Sequence, residues 1–314
     1  MSIIIKQIDH ELKELLQEFA SAGIPPWNQL SIHSARRIEQ KILEDPPGPS
    51  IQRIHEMGFS GPAGEVRVRI FTPDNAGPEP LPVLVYLRGG GWVVGNLDSD
   101  EGVCRGIAKC VGCIVVSVDY SRAPEHNFPV SVKETYQALN WCADNASAFG
   151  GDPNRIGVAG SSAGGNLAAS TTILARETGR PSIEGQILFY PMLDPNQDRD
   201  SYHEYEDGPL ITRDDIAWFW DHYLSDRIHA HNPLATPLRS RNLSGLPPTT
   251  VVTAGIDPLR DEGIAYAERL DDAGVNVKHR HYPELTHIFL NLAPAVESAD
   301  EALKEVSEDI QEYL

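Results

Sequence analysis

The sequence predicts an α/β fold in which a mostly parallel, doubly wound sheet carries helices on both faces. Three observations lead there. From Val83 onward, short apolar runs of strand length alternate with segments of helical periodicity, the rhythm of strand-helix-strand units. Ahead of them the pattern changes once, from helical spacing to β-formers, at the Pro46-Pro47-Gly48-Pro49 linker. Finally, 314 residues, 41% of them hydrophobic, are enough to bury a sizeable core.

Taken in order, Ile5, Ile8, Leu12, Leu15, Leu16 and Phe19 recur at helical spacing, and after Pro25-Pro26 a second helix is expected from about Asn28 to Glu44. Strands follow at Val66/Val68/Ile70, Val83 to Leu87 and Cys113 to Asp119. A helix from Ser131 to Phe149 leads to a strand from Arg155 to Gly160, a helix from Ala163 to Arg176 and a strand from Ile183 to Tyr190. The last elements are a strand from Thr249 to Ala254, a helix from Leu259 to Ala273, a strand from Val275 to Tyr282, and a closing helix within Pro294 to Tyr313 marked by Ala299, Leu303, Val306 and Ile310. Between Asp194 and about Leu243 the rhythm breaks. That stretch has no strand but has a helix with Ile216, Phe219, Trp220, Tyr223 and Leu224 on one stripe. An excursion of about fifty residues from a compact domain reads as a lid or binding loops. The expected organisation is N-terminal cap helices over 1–45, a core over 46–195 and 244–314, and a cap insertion over 196–243.

Charge narrows the function classes. With 26 Lys and Arg against 45 Asp and Glu, the net charge of −19 repels polyanions, so neither nucleic acid nor an anionic membrane is an expected partner. The start Met1-Ser-Ile-Ile-Ile-Lys6 is too short for a signal core, and no run approaches the ~20 apolar residues of a span. The four cysteines hold one isolated CxxC, Cys110-Val-Gly-Cys113, and read as small apolar side chains of a reducing compartment. A cytoplasmic protein with a small-molecule partner is expected, and a homodimer is compatible with it.

The strongest chemical signal is Gly160-Ser161-Ser162-Ala163-Gly164, between a predicted strand and a predicted helix. A serine on that sharp turn is lifted to a helix N-terminus, where the N–H of Ala163 favours a developing oxyanion, and the flanking glycines let neighbouring backbone approach. Taken alone, the motif is also satisfied by an ordinary Gly-rich turn. Arg88-Gly89-Gly90-Gly91-Trp92 follows the strand ending at Leu87, and three glycines in a row expose N–H groups as oxyanion donors. A phosphate cradle would need GxxxxGK[ST] or GxGxxG, and neither is present here. A nucleophilic serine needs a base and an orienting acid. His287 and Asp257 each follow a predicted strand, and the order Ser162, Asp257, His287 is that of α/β-hydrolases. Asp261 and Glu262 are rival acids expected to point away on the helix. His279-x-His281 with His287 is a rival metal cluster lacking a companion carboxylate. No metal and no cofactor are expected.

These residues resemble the hormone-sensitive-lipase-like family of α/β-hydrolase esterases, through Gly89-Gly90-Gly91-Trp92, Val118 to Pro129, Gly160 to Gly165, Tyr190-Pro191, Asp257-Pro258-Leu259-Arg260-Asp261-Glu262 and His287. The resemblance implies Ser162 as nucleophile, His287 as base, Asp257 as acid, and an oxyanion hole from the N–H groups of Gly90, Gly91 and Ala163. Trp92 and Ile288 are expected to contact substrate. It also implies a cap built from N-terminal helices and an insertion. Two positions depart from the family pattern: Arg88 stands where it has His, and Ser161 where it has Asp or Thr. The implied activity is a serine carboxylesterase acting on short- to medium-chain esters through an acyl-enzyme. Amidase, lactonase or deacetylase chemistry on the same residues is the alternative. A non-catalytic receptor on this fold would lose a triad position, and all three are filled.

Overall fold

A computed structural model describes residues 8–42, 48–74, 77 and 79–314. In chain order the described elements begin with α1 (His10–Ser21), α2 (Ile32–Ile42), β1 (Arg53–Gly61), β2 (Gly64–Thr72), β3 (Leu81–Leu87), α3 (Glu101–Val111), β4 (Ile114–Asp119) and α4 (Val130–Asn145). They continue with β5 (Gly151–Ser161), α5 (Ala163–Thr178), β6 (Gly185–Phe189), α6 (Asp200–Glu204), α7 (Arg213–Tyr223), β7 (Thr249–Ile256), α8 (Arg260–Asp272), β8 (Val277–Thr286), α9 (Phe289–Leu292) and α10 (Glu297–Tyr313). The eight strands form one sheet in the order β1-β2-β4-β3-β5-β6-β7-β8. β1 and β2 make an antiparallel hairpin, β2 pairs antiparallel with β4, and every pairing from β4 to β8 is parallel.

The two-residue period of the strands sorts their side chains into two cores. Val83, Val85 and Leu87 of β3 join Ile114, Val116 and Val118 of β4 on the face covered by α4, α5 and α8. Leu84, Tyr86 and Val115 point to the other face, covered by α3, α9 and α10. Leu12 is buried in this second core, with Ile8, Leu15, Leu16 and Phe19 packed against it, so the apolar stripe of α1 docks there. Ile5 and the Pro46-Pro47 half of the linker lie outside the described residues.

Several boundaries differ from expectation for identifiable reasons. The helix expected from Asn28 to Glu44 is split into a 3₁₀ turn at Trp27–Gln29 and α2. Leu30 between them is extended, and Ser31 restarts the helix, its hydroxyl accepting from the Ser34 amide at 3.2 Å. β8 starts at Val277 and continues past the predicted end at Tyr282 to Thr286. Pro283 is tolerated because β8 is an edge strand whose outer N–H groups need no partner. α3 was not anticipated; Gly106 interrupts its pattern, and a side chain there would press on Leu303 of α10. β1 was also missed, because it is an edge strand with little burial and so little hydrophobic signal.

The edge strand is secured by charge. Asp309 on α10 is buried and accepts from Lys278 Nζ at 3.0 Å and from Arg280 Nε and Nη2 at 3.0 and 2.8 Å. Burial alone would raise its pKa, but the hydrogen bonds from Arg280 and Lys278 outweigh that and hold it below the usual carboxylate value. A lowered folded-state pKa means the stabilisation is present at neutral pH and is lost as pH falls through the carboxylate range, below about 4. Asp309→Asn is therefore expected to cost about 1–2 kcal/mol at pH 7, less than a fully buried pair because both cations are partly exposed. The gap between the urea midpoints of variant and wild type should narrow progressively as pH falls below about 4, and a gap that stays constant down the acid limb would refute the assignment.

Candidate active site

The elbow is built where β5 runs into α5. Ser162 sits between them at φ 54°, ψ −116°, a strained conformation for a non-glycine residue. Three hydrogen bonds hold it: its N–H donates to Phe189 O at 2.9 Å, and its carbonyl accepts from Asn166 N and Met192 N, each at 3.1 Å. The glycines around it are required by contact. A Cβ on Gly160 would overlap the carbonyl of Gly164, and one on Gly164 would overlap the carbonyls of Leu87 and Arg88.

His287 follows β8 directly and Asp257 follows β7 directly, so the ends of two adjacent parallel strands bring them to the elbow. Thr286 Oγ1 ties those ends together by donating to Ile256 O at 3.1 Å. His287 Nδ1 lies 2.8 Å from Asp257 Oδ2, and His287 Nε2 lies 3.0 Å from Ser162 Oγ. An ionised carboxylate can only accept, so Nδ1 carries the proton and Nε2 is left to accept from the serine hydroxyl. The other Asp257 oxygen accepts from Leu259 N at 2.8 Å. All three side chains are buried. The Tyr190 ring packs against the imidazole in a T-shaped arrangement, with centroids 4.8 Å apart.

The glycine loop faces the same point. Gly90 O accepts from Val93 N and Val94 N at 3.0 and 2.9 Å, which curls the loop. Among the described residues, the N–H groups of Gly90, Gly91 and Ala163 are donated to nothing. Phe219 of α7 occupies the place where a Cβ of Gly91 would stand. Trp92 is fully buried and stacks on Tyr223 at 4.0 Å and against Trp220 at 4.6 Å. Ile288, half-buried at φ 59°, is adjacent to His287.

Arg88 is fully buried and braces the loop from behind. Its Nη1 donates to Val94 O at 2.7 Å and Gly89 O at 3.2 Å, and its Nη2 to Tyr120 O at 3.1 Å, with the guanidinium 4.2 Å from the Tyr120 ring centroid. The nearby acids are paired with other arginines. Asp119 stays 3.9 Å away and bonds Arg67, while Glu125 pairs with Arg36. That Arg36 was not foreseen, because Arg36-Arg37 on a helix reads as a solvated face. It donates to Val93 O at 2.8 Å and Ala123 O at 2.9 Å, fastening α2 to the loop.

The rival residues are committed elsewhere. Glu262 does not point away from the strand ends. It is buried and accepts from Leu193 N and Asp194 N at 3.0 and 3.1 Å beneath the chain leaving β6, and burial pushes its carboxyl well above the usual range. Asp261 accepts from Ser201 N at 2.8 Å and pairs with Arg260. His279 Nε2 and His281 Nδ1 both bond Thr253 Oγ1, at 2.8 and 2.9 Å, while His287 is held by Ser162 and Asp257.

The model of the alpha/beta hydrolase fold family Abhydrolase_3 matches residues 84–291, a span that holds the glycine loop, the elbow, Asp257 and His287. The chain belongs to that family. Among its relatives in this alpha/beta hydrolase family is Carboxylesterase NlhH of Mycobacterium tuberculosis, 40% identical over 311 residues covering 94% of this chain and 92% of that one. Ethyl acetate hydrolase of Pseudomonas putida is 36% identical over 312 residues, 96% of each chain. Of solved structures, a hyperthermophilic esterase from the archaeon Pyrobaculum calidifontis superposes with a TM-score of 0.92 at 37% identity, covering 97% of this chain and 98% of that one.

Buried and spent on carbonyls, Arg88 cannot reach a substrate. Arg88→His should therefore lower kcat/KM on a neutral butyrate ester and on a hemisuccinate ester by a similar factor. That factor should stay below the ~10²–10³ that one lost oxyanion donor costs. A loss confined to the hemisuccinate would make Arg88 a specificity residue.

Proposed function

We propose that the protein is a serine carboxylesterase acting on short- to medium-chain carboxylic esters through an acyl-enzyme. The observation carrying this reading is the unbroken relay from Asp257 through His287 to Ser162, facing three undonated backbone N–H groups. Relatives named carboxylesterase and ethyl acetate hydrolase support it.

In this reading His287 Nε2 takes the hydroxyl proton as Ser162 Oγ bonds to the ester carbonyl carbon. The carbonyl oxygen becomes an oxyanion and accepts from the N–H groups of Gly90, Gly91 and Ala163, the last at the positive end of the α5 dipole. Asp257 keeps the imidazole oriented and stabilises its protonated form. The C–O bond then breaks, and the imidazolium protonates the departing alcohol. Water attacks the acyl-enzyme with His287 again as base, releasing the acid and restoring Ser162.

The N-terminal segment from Trp27 through α2, together with 196–243, acts as a cap over this centre, whereas α1 packs on the second core. In support, the Asn28 amide donates to Asp215 Oδ1 at 2.9 Å, and Trp27 meets Phe219 at 6.4 Å, joining the N-terminal segment to α7. A cap seated on Gly91 through Phe219 favours small acyl groups. Among the described residues, no helix is long and apolar enough to cross a membrane. The four cysteines are free, which fits a reducing, cytoplasmic setting.

Ser162→Ala should lower kcat on p-nitrophenyl butyrate by ~10⁴–10⁶ with the thermal transition retained, since the hydroxyl supplies the bond-forming oxygen and little packing. The wild type should favour acyl chains well below about C12. Near-normal turnover in the variant would refute the mechanism, and kcat/KM climbing steadily past that length would refute the cap reading.

A further inference from the structure

Asp100 is a buried carboxylate that the proposed chemistry does not use. It stands at the N-cap of α3, where an aspartate side chain ordinarily accepts from the first-turn amides, as Asp9 and Thr212 do for α1 and α7. The Asp100 side chain makes no such bond. It turns inward instead. Oδ2 accepts from Tyr86 Oη at 2.8 Å, Ser161 Oγ at 3.1 Å and Gly89 N at 3.3 Å, and Oδ1 accepts from Asn291 Nδ2 at 2.9 Å.

Each partner adjoins a different part of the centre. Gly89 precedes the two glycines of the loop, Ser161 precedes Ser162, and Asn291 lies on α9, the helix that follows His287. Gly89 faces Ser161 closely, since a Cβ added there would stand 3.1 Å from Ser161 Oγ. We infer that Asp100 is a positioning residue, the shared acceptor that holds the oxyanion loop, the nucleophile elbow and the segment after His287 in one register. The inference rests on the esterase reading above.

The chemistry requires a carboxylate. Three donors converge on one oxygen and a fourth meets the other, so both oxygens must accept. An amide with its NH₂ toward the three donors meets donors only, and with its NH₂ toward Asn291 it is satisfied only if Asn291 turns its oxygen inward and gives up the bond from Nδ2 to Ser99 O at 3.2 Å. Tyr86 remains a donor because burial, reinforced by Asp100, pushes its hydroxyl well above the usual value. The same acceptor accounts for a hydroxyl at Ser161. The hydroxyl donates to the acid already in place, and a second carboxylate there would face Asp100 unpaired.

The test is Asp100→Asn in the full chain, with reactive sites counted by organophosphate titration and turnover read on p-nitrophenyl butyrate. Per reactive site, kcat should fall about 10- to 100-fold, short of losing a whole oxyanion donor, with KM within about threefold. Affinity for a trifluoromethyl ketone, which mimics the tetrahedral state, should fall in parallel with kcat/KM. A merely structural role would lower the number of reactive sites and leave kcat per site unchanged, and that result overturns the inference. Should Asp100→Asn fail to fold, Ser161→Ala removes one of the three donors and should lower kcat per site about three- to tenfold at constant KM. Unchanged kcat there overturns the inference equally. A wild type that hydrolyses no ester overturns the esterase reading itself, whereas an active wild type with an unaffected variant overturns only the role of Asp100.

Discussion

Backbone packs directly on backbone where the first turn of α5 meets the end of β3. No side chain fits between Gly164 and the carbonyls of Leu87 and Arg88, or between Gly160 and the carbonyl of Gly164. This contact fixes how far the serine-bearing turn stands from the glycine loop, and every other distance in the centre is set relative to it. A single added methyl group at either glycine would force strand and helix apart. The positive φ of Ser162 follows from the same constraint: the chain must reverse from strand into helix within one residue, and two hydrogen bonds to β6 and the chain after it, with one from the first turn of α5, hold it there.

Around that contact the molecule places buried and half-buried polar side chains so that each restrains a backbone segment. Arg88 closes the glycine loop by donating to carbonyls at both ends, Glu262 accepts from two amides after β6, and Arg36 fastens α2 to the loop. Each such group leaves its partners unsatisfied if it is removed, which makes the arrangement stiff, as a site with sub-ångström tolerances needs. The acidic surface is a separate matter, with consequences for encounter and solubility rather than for the geometry of the centre.

Much of this was legible in the sequence because it rests on local signals. Strand-Gly-x-Ser-x-Gly-helix carries its own geometry, and Asp257 and His287 could be picked because each follows a predicted strand. What stayed hidden depends on tertiary contact. Glu262 looks like a surface charge of a helix first turn until the chain after β6 is laid over it. Asp100 and Arg36 sit in helices or caps where their residue types are ordinary, and only the fold brings them to the loop. β1 and α3 escaped for opposite reasons, one having too little burial to leave a pattern and the other a glycine that serves a neighbouring helix.

The central claim is that one hydroxyl, that of Ser162 and not its neighbour Ser161, is activated by His287. Labelling with paraoxon followed by peptide mass spectrometry reads this directly. The expected result is a single diethyl phosphoryl group per chain, on Ser162, with esterase activity lost in step with its formation and no labelling in His287→Ala. Modification at Ser161, or full activity in protein quantitatively labelled at Ser162, would contradict the account.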